Sequence, residues 1–126
     1  MKPLLFVGAV NGFLAVALGA FGAHGLRARF AELPDVAKRL EWWETASRYH
    51  LVHALFIVAC ALASERLPAR LPTLGAWAAC AGILLFSGSL YAMTLTGVRA
   101  LGAVTPVGGL LLLAAWLLLA WAALRG

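Results

Sequence analysis

The sequence predicts an all-α membrane protein with four transmembrane helices in a compact bundle. Four long stretches of the 126-residue chain contain no Asp, Glu, Lys or Arg, namely residues 3–26, 49–64, 71–98 and 100–124. Hydrophobic residues make up 63% of the chain, whereas a soluble domain is about half apolar. Because about 20 apolar helical residues cross the hydrocarbon core of a bilayer, the four stretches predict four crossings.

These crossings use most of the chain, so residues 1–126 are predicted to form a single transmembrane domain. We expect helices over about residues 3–24, 45–64, 73–95 and 105–124. The largest remaining segment, residues 27–48, is too short to fold as a separate soluble domain.

Helix 1 carries a stripe of small residues at helical spacing, which includes Gly8, Gly12 and Gly19. Such a stripe lets a neighbouring helix approach closely in lipid. Asn11 lies beside the stripe. An unpaired amide is costly in hydrocarbon, so we expect Asn11 to bond to another helix, with a ligand contact as the alternative.

The segment between helices 1 and 2 holds nine of the 15 charged residues. Val36, Leu40 and Trp43 share one helical face, which predicts an amphipathic helix over about residues 34–44 that lies at the membrane interface and leads into helix 2. Glu44 and Arg48 are an acidic-before-basic pair at i, i+4. Arg48 then falls in the first turn of helix 2, where it can reach the headgroups or pair with Glu44.

The polar end of helix 3 includes Ser87, Ser89 and Tyr91. Hydroxyl groups in membrane helices commonly bond to another helix or to their own backbone, and lining a pore is the alternative.

The chain has ten basic and five acidic residues. Because the basic residues lie between hydrophobic stretches, they indicate lipid headgroups and the positive-inside rule, not nucleic acid. Four crossings place both termini on one side. The terminal side carries four basic residues and the other side six, so we expect both termini outside the cytoplasm.

A polar cluster can form where helix 1 ends and helix 2 begins. Its members are His24, Glu44, Arg48, Tyr49, His50 and His53. The two histidines of helix 2 are i, i+3 and share a face. They can lock the bundle by hydrogen bonds, handle protons or a substrate, or bind a metal ion. No catalytic motif is present, so the sequence predicts no enzyme and no cofactor.

Four segments in order resemble a known family. They are GAFGAHGL at 19–26, TASRYHLVHAL at 45–55, FSGSLY at 86–91 and TPVGG at 105–109. They are similar to small bacterial inner-membrane proteins grouped as "domain of unknown function 423", to which a small vertebrate transmembrane family is related. The resemblance covers essentially the whole chain and implies a multi-pass inner-membrane protein. The resemblance implies no biochemical activity.

Three functions follow as hypotheses. The first is a small scaffold or accessory module that acts by helix contacts with a second copy, with lipid or with a membrane-protein partner. The second is a small transporter or channel with a polar site near His24, Tyr49 and His53. The third is a membrane-embedded metal or cofactor site.

Overall fold

The computed structural model of the chain describes residues 2–68 and 70–126. Its elements are α1 (Lys2–Phe21), a π-helical turn (Gly22–Leu26), α2 (Arg27–Arg29), α3 (Val36–Ala63), α4 (Arg70–Thr96), a 3-10 turn (Arg99–Ala103) and α5 (Thr105–Arg125). Among the described residues, four helical stretches are long and apolar enough to cross a membrane. The predicted fold class is therefore confirmed.

The bounds of the first two crossings differ from the prediction at the end of helix 1 and at the start of helix 2. Helix 1 does not stop near residue 24, because the π-helical turn carries it on into α2. Residues 36–44 form the first turns of α3, so the predicted amphipathic segment runs into the second crossing without a break. With 28 residues at 1.5 Å each, α3 is about 42 Å long and exceeds a hydrocarbon core of about 30 Å. The amphipathic turns therefore extend α3 into the headgroup region.

Proline and glycine set the ends of the later helices. Pro72 and Pro106 lie in the first turns of α4 and α5, where the missing N–H costs no intrahelical bond. Gly97, with φ +74°, follows the end of α4 and donates its N–H to the Met93 carbonyl at 2.7 Å. A left-handed residue at this position is a common helix stop, and glycine adopts it without strain.

The helices pack in chain order: α1 against α3, α3 against α4, and α4 against α5. In each of the two middle crossings, 44% of the most apolar 18-residue stretch is buried. The share is 17% in the first crossing and 22% in the last. All four crossings still contribute to one core, whose buried members include Leu4, Ile57, Ala79 and Leu112. The outer helices therefore present most of their apolar surface to lipid.

Close helix contacts are made at small residues. A Cβ added to Gly8 on α1 would lie 2.7 Å from the Val58 side chain of α3. The same construction at Gly12 and Gly19 reaches Ala54 at 4.0 Å and the Ser47 hydroxyl at 3.7 Å. The small-residue stripe of helix 1 therefore faces α3 within the same chain.

Candidate functional site

His50 joins three membrane-spanning helices through buried hydrogen bonds. Its Nε2 lies 2.9 Å from Asn11 Oδ1 on α1, and its Nδ1 lies 3.0 Å from the Tyr91 hydroxyl on α4. The Asn11 amide nitrogen donates to the Val7 carbonyl at 2.9 Å, so the amide oxygen is the atom that faces His50. Nε2 therefore carries the hydrogen and Nδ1 accepts from Tyr91. One neutral imidazole satisfies both neighbours.

His53, one turn later on α3, makes the complementary pair of bonds. Its Nδ1 lies 2.7 Å from the Tyr49 carbonyl, and its Nε2 lies 3.0 Å from the Trp116 indole nitrogen. Because an indole N–H can only donate, Nε2 accepts and Nδ1 carries the hydrogen. This contact ties α3 to α5. The two histidines thus hold opposite tautomers and point to different neighbours.

Other residues of the predicted polar cluster lie apart from the His50 contacts. His24 is exposed in the π-helical turn. Glu44 and Arg48 form an exposed ion pair at 3.1 Å. Tyr49 is partly exposed and stacks on His53, with ring centroids 6.1 Å apart. The structure therefore joins Tyr49 to His53 but does not gather the six residues around one point.

The hypothesis of a metal site is not supported by any set of ligands among the described residues. Within residues 2–68 and 70–126, no group of three His, Cys, Asp or Glu side chains could hold a metal ion. Both nitrogens of His50 and of His53 already have hydrogen-bond partners.

The hydroxyl groups of α4 bond to neighbouring helices. Ser87 donates to the Ala46 carbonyl of α3 at 2.7 Å. Ser89 lies 2.5 Å from the Thr105 hydroxyl at the start of α5. Together with Tyr91, which bonds to His50 of α3, these groups connect α4 to α3 and to α5. Their hydroxyl groups form bonds between helices, and a pore-lining role stays a prediction.

A lateral groove of about 420 Å³ runs beside His53. Its lining residues come from α3, α4 and α5: Tyr49, His53, Phe86, Pro106, Gly109, Leu110, Leu112, Leu113 and Trp116. Leu110 and Leu113 are about two thirds exposed, at 66% and 64%. The lateral groove therefore opens sideways, toward lipid.

We expect Trp116→Phe to destabilise the protein by roughly 1 kcal/mol, within the range for hydrogen bonds between membrane helices. The phenyl ring keeps the contact with Phe56, whose ring centroid lies 4.5 Å away, but His53 loses its donor. Unfolding by SDS in mixed micelles measures the change. Trp121→Phe is the matched control, because Trp121 is on the same helix, is half exposed and makes no side-chain hydrogen bond to the described residues. Equal effects of both changes would contradict the proposed role of the bond.

The matches to known proteins cover these same elements. A family profile described as "Protein of unknown function (DUF423)" matches residues 18–109, from the end of α1 to the first turn of α5. This stretch contains the π-helical turn, both buried histidines and all of α4. This chain belongs to the DUF423 family.

Individual relatives of this DUF423 chain match it along nearly its whole length. It is 42% identical to the UPF0382 membrane protein YwdK of Bacillus subtilis, over 99% of this chain and 98% of that protein. It is 41% identical to a UPF0382 membrane protein of Staphylococcus saprophyticus, over 94% of each. A UPF0382 membrane protein of Haemophilus influenzae is also 41% identical, over 93% of this chain and 90% of its own length. No solved structure matches significantly.

Two contacts of the DUF423 chain have no counterpart in the sequence prediction. The Trp43 indole N–H donates to the Leu18 carbonyl of α1 at 2.6 Å. Arg39, which bonds to Asp35 one turn earlier, also donates to the Thr94 carbonyl at 2.9 Å. Thr94 is in the last turn of α4, where carbonyls lack intrahelical partners and the helix dipole favours a cation. The spacing of Asp35 and Arg39 carries no signal for this distant acceptor.

Proposed function

We propose that this DUF423 chain is a non-enzymatic scaffold module of the bacterial inner membrane, and that it acts through helix contacts in lipid. The proposal rests on one observation: both ring nitrogens of each buried histidine already have hydrogen-bond partners. All four ring nitrogens have hydrogen-bond partners, three of them on other helices and one, the Tyr49 carbonyl, on α3 itself. Among the described residues, no buried side-chain nitrogen or oxygen lacks a hydrogen-bond partner.

Because these ring nitrogens are already hydrogen-bonded, a structural role is favoured over a catalytic or transport role. A general base or a cargo-binding group needs a lone pair or an N–H that faces substrate. An unpaired polar group in hydrocarbon costs several kcal/mol, whereas a bonded one holds two helices together. Each buried polar side chain among the described residues makes at least one bond to another helix, which supports a role in fixing the arrangement of the helices.

The surface that such a module offers to partners is the lateral groove. The small-residue stripe of α1 is occupied by α3 of the same chain, so it does not supply the site for a second copy. The lateral groove remains open to lipid and carries a polar wall at Tyr49 and His53. We place a second copy of this chain there, with lipid or another membrane protein as the alternative occupant.

We expect Leu113→Cys to form disulfide-linked dimers in nanodiscs after mild oxidation, because Leu113 lies at the open edge of the lateral groove. The background is Cys60→Ala with Cys80→Ala, which removes the two native thiols. Phe13→Cys is the matched control: Phe13 is 73% exposed, but on the outer face of α1. Equal crosslinking of both variants, or a monomer in several mild detergents, would count against self-association at the groove.

A small transporter is the second candidate, because Tyr49 and His53 line the same groove. This function requires that His53→Ala abolish flux of a substrate in proteoliposomes while the fold survives. The scaffold function requires that wild-type and empty liposomes show equal flux.

Orientation is also part of the proposal. Arg27, Arg29, Lys38, Arg39, Arg48 and Arg99 lie on the side opposite the termini, which favours that side as cytoplasmic. We expect alkaline phosphatase fused after Gly126 to be active and green fluorescent protein fused there to be dark. The opposite pair of results would reverse the orientation.

A further inference from the structure

A small cavity lies where the π-helical turn faces α3, and the scaffold role makes no use of it. It has a volume of about 140 Å³. Its lining residues are Gly19, Gly22, Ala23, Arg27, Leu40, Trp43, Glu44 and Ser47. Because π-helical turns are frequent at functional sites, a cavity beside such a turn is a candidate ligand site. We refer to it as the headgroup cavity.

The headgroup cavity lies at the boundary between hydrocarbon and headgroups. Arg27 is the first charge after the uncharged residues 3–26, and Glu44 precedes the second uncharged run, residues 49–64. Trp42 and Trp43 lie on the same turn of α3, as tryptophans at a membrane interface do. Any molecule in this cavity is therefore at the depth of a phospholipid headgroup.

The walls of the cavity combine one cation, one anion and small residues. Glu44 is bonded to Arg48 at 3.1 Å, but that pair is exposed and such pairs contribute about 0–1 kcal/mol. Arg27 forms no ion pair with the described residues. A Cβ on Gly22 would run into the Trp43 indole, and one on Gly19 would lie 3.7 Å from the Ser47 hydroxyl. Gly22 therefore leaves room for the Trp43 indole, whereas a side chain at position 19 would make an ordinary contact.

We propose that the headgroup cavity binds a zwitterionic phospholipid that has a primary ammonium group, the phosphoethanolamine head. Arg27 takes the phosphate, since a guanidinium matches two phosphate oxygens at once. Glu44 takes the ammonium, whose three N–H groups donate to a carboxylate. The acyl chains lie outside the cavity, against the apolar outer face of α1.

The two charges together define the selectivity. A phosphatidylglycerol head offers a phosphate and neutral hydroxyl groups, so it brings no positive charge to offset the repulsion between its phosphate and the Glu44 carboxylate. A phosphatidylcholine head has a quaternary ammonium without N–H groups, so it cannot donate to the carboxylate. Phosphatidylethanolamine satisfies both side chains. This inference does not depend on the scaffold function, because Arg27 and Glu44 take no part in the bonds of His50 and His53.

Native mass spectrometry of the delipidated full-length protein, titrated with each of the three lipids, tests the proposal. We expect phosphatidylethanolamine to bind about tenfold more tightly than the other two, the effect of one hydrogen bond to a charged group. Arg27→Gln should weaken binding of all three lipids. Glu44→Gln should remove the preference for phosphatidylethanolamine and strengthen binding of phosphatidylglycerol. Arg48→Gln, which releases Glu44 from its ion pair, should preserve the preference.

The matched controls are Arg29→Gln and Glu41→Gln, two exposed residues at the same end of the bundle that do not line the cavity. Their lipid binding should equal that of the wild type, and a thermal unfolding midpoint checks that each variant is folded. Equal binding of the three lipids would overturn the proposal, as would control variants that behave like Arg27→Gln and Glu44→Gln. Displacement of the lipid by equimolar soluble glycerophosphoethanolamine would show that the site takes an aqueous ligand instead.

Discussion

We expect Gly108→Ala to destabilise the folded protein by about 3 kcal/mol, the upper part of the range for overpacking a core. A Cβ at Gly108 would lie 2.8 Å from the Leu85 carbonyl carbon and 2.8 Å from the Phe86 Cα. These are backbone atoms of α4, and they cannot rotate away as a side chain can. The methyl group therefore has to push α5 from α4, which opens the interface that also carries Gly82 and Leu112.

Gly109→Ala is a closely matched control for this prediction. It adds the same methyl group to the next residue of the same helix, so the gain in helix propensity is shared. Its Cβ would lie 3.7 Å from the Phe86 ring, an ordinary contact with a side chain. Reversible unfolding by SDS in mixed micelles compares the two. A Gly108→Ala protein as stable as Gly109→Ala would show that α4 and α5 are not this close.

The sequence could predict which helices carry close contacts, but not which glycine is indispensable. Spacing alone places Gly8, Gly12 and Gly19 on one face of α1, and this face does pack on α3. The distance from each glycine to its neighbour depends on the depth and crossing angle of the helix pair, which spacing does not contain. Gly8 is therefore tight while Gly12 has ordinary room, although the two are equivalent in the sequence pattern.

The bounds of the first two crossings show a similar limit. Charges and tryptophans predict correctly that residues 34–44 are amphipathic, but they do not tell a helix that lies flat from the extended end of a spanning helix. The contacts that decide this come from elsewhere in the chain: Trp43 bonds to Leu18, and Arg39 bonds to Thr94. Both hold the start of α3 upright against α1 and α4, and neither acceptor carries a sequence signal because both are backbone carbonyls.

The sequence indicates which polar residues need hydrogen-bond partners, but it does not predict which partners they have. Rarity at membrane depth marks Asn11, His50, His53 and Tyr91 as residues that need partners, since unpaired polar groups are costly there. The i, i+3 spacing places the two histidines on one face of the helix and allows bonds within the bundle, proton or substrate handling, or a shared metal ion. The structure separates them instead, because the His50 imidazole bonds to α1 and α4, whereas the His53 imidazole bonds to α5. Partner choice depended on the helix arrangement, which the spacing leaves open.

His50→Leu is expected to cost about 2–3 kcal/mol, because it removes two hydrogen bonds and leaves two half-buried polar groups without a partner. The Asn11 amide oxygen loses its donor, and the Tyr91 hydroxyl loses its acceptor. His50→Gln offers one donor and one acceptor on a side chain of similar reach. We therefore expect it to retain most of the stability, with a loss of about 1 kcal/mol or less.

A double-mutant cycle separates this bonding role from simple loss of volume. Tyr91→Phe removes only the hydroxyl, and in the wild type it should cost about 0.6–1.7 kcal/mol, as hydrogen bonds between membrane helices do. In the His50→Leu background the hydroxyl is already unpaired, so the same change should cost nothing or even stabilise. Unfolding by SDS at each corner of the cycle gives the coupling free energy. Additive effects would mean that the His50 imidazole fills space without joining α1 to α4, and the main support for the scaffold function would then be lost.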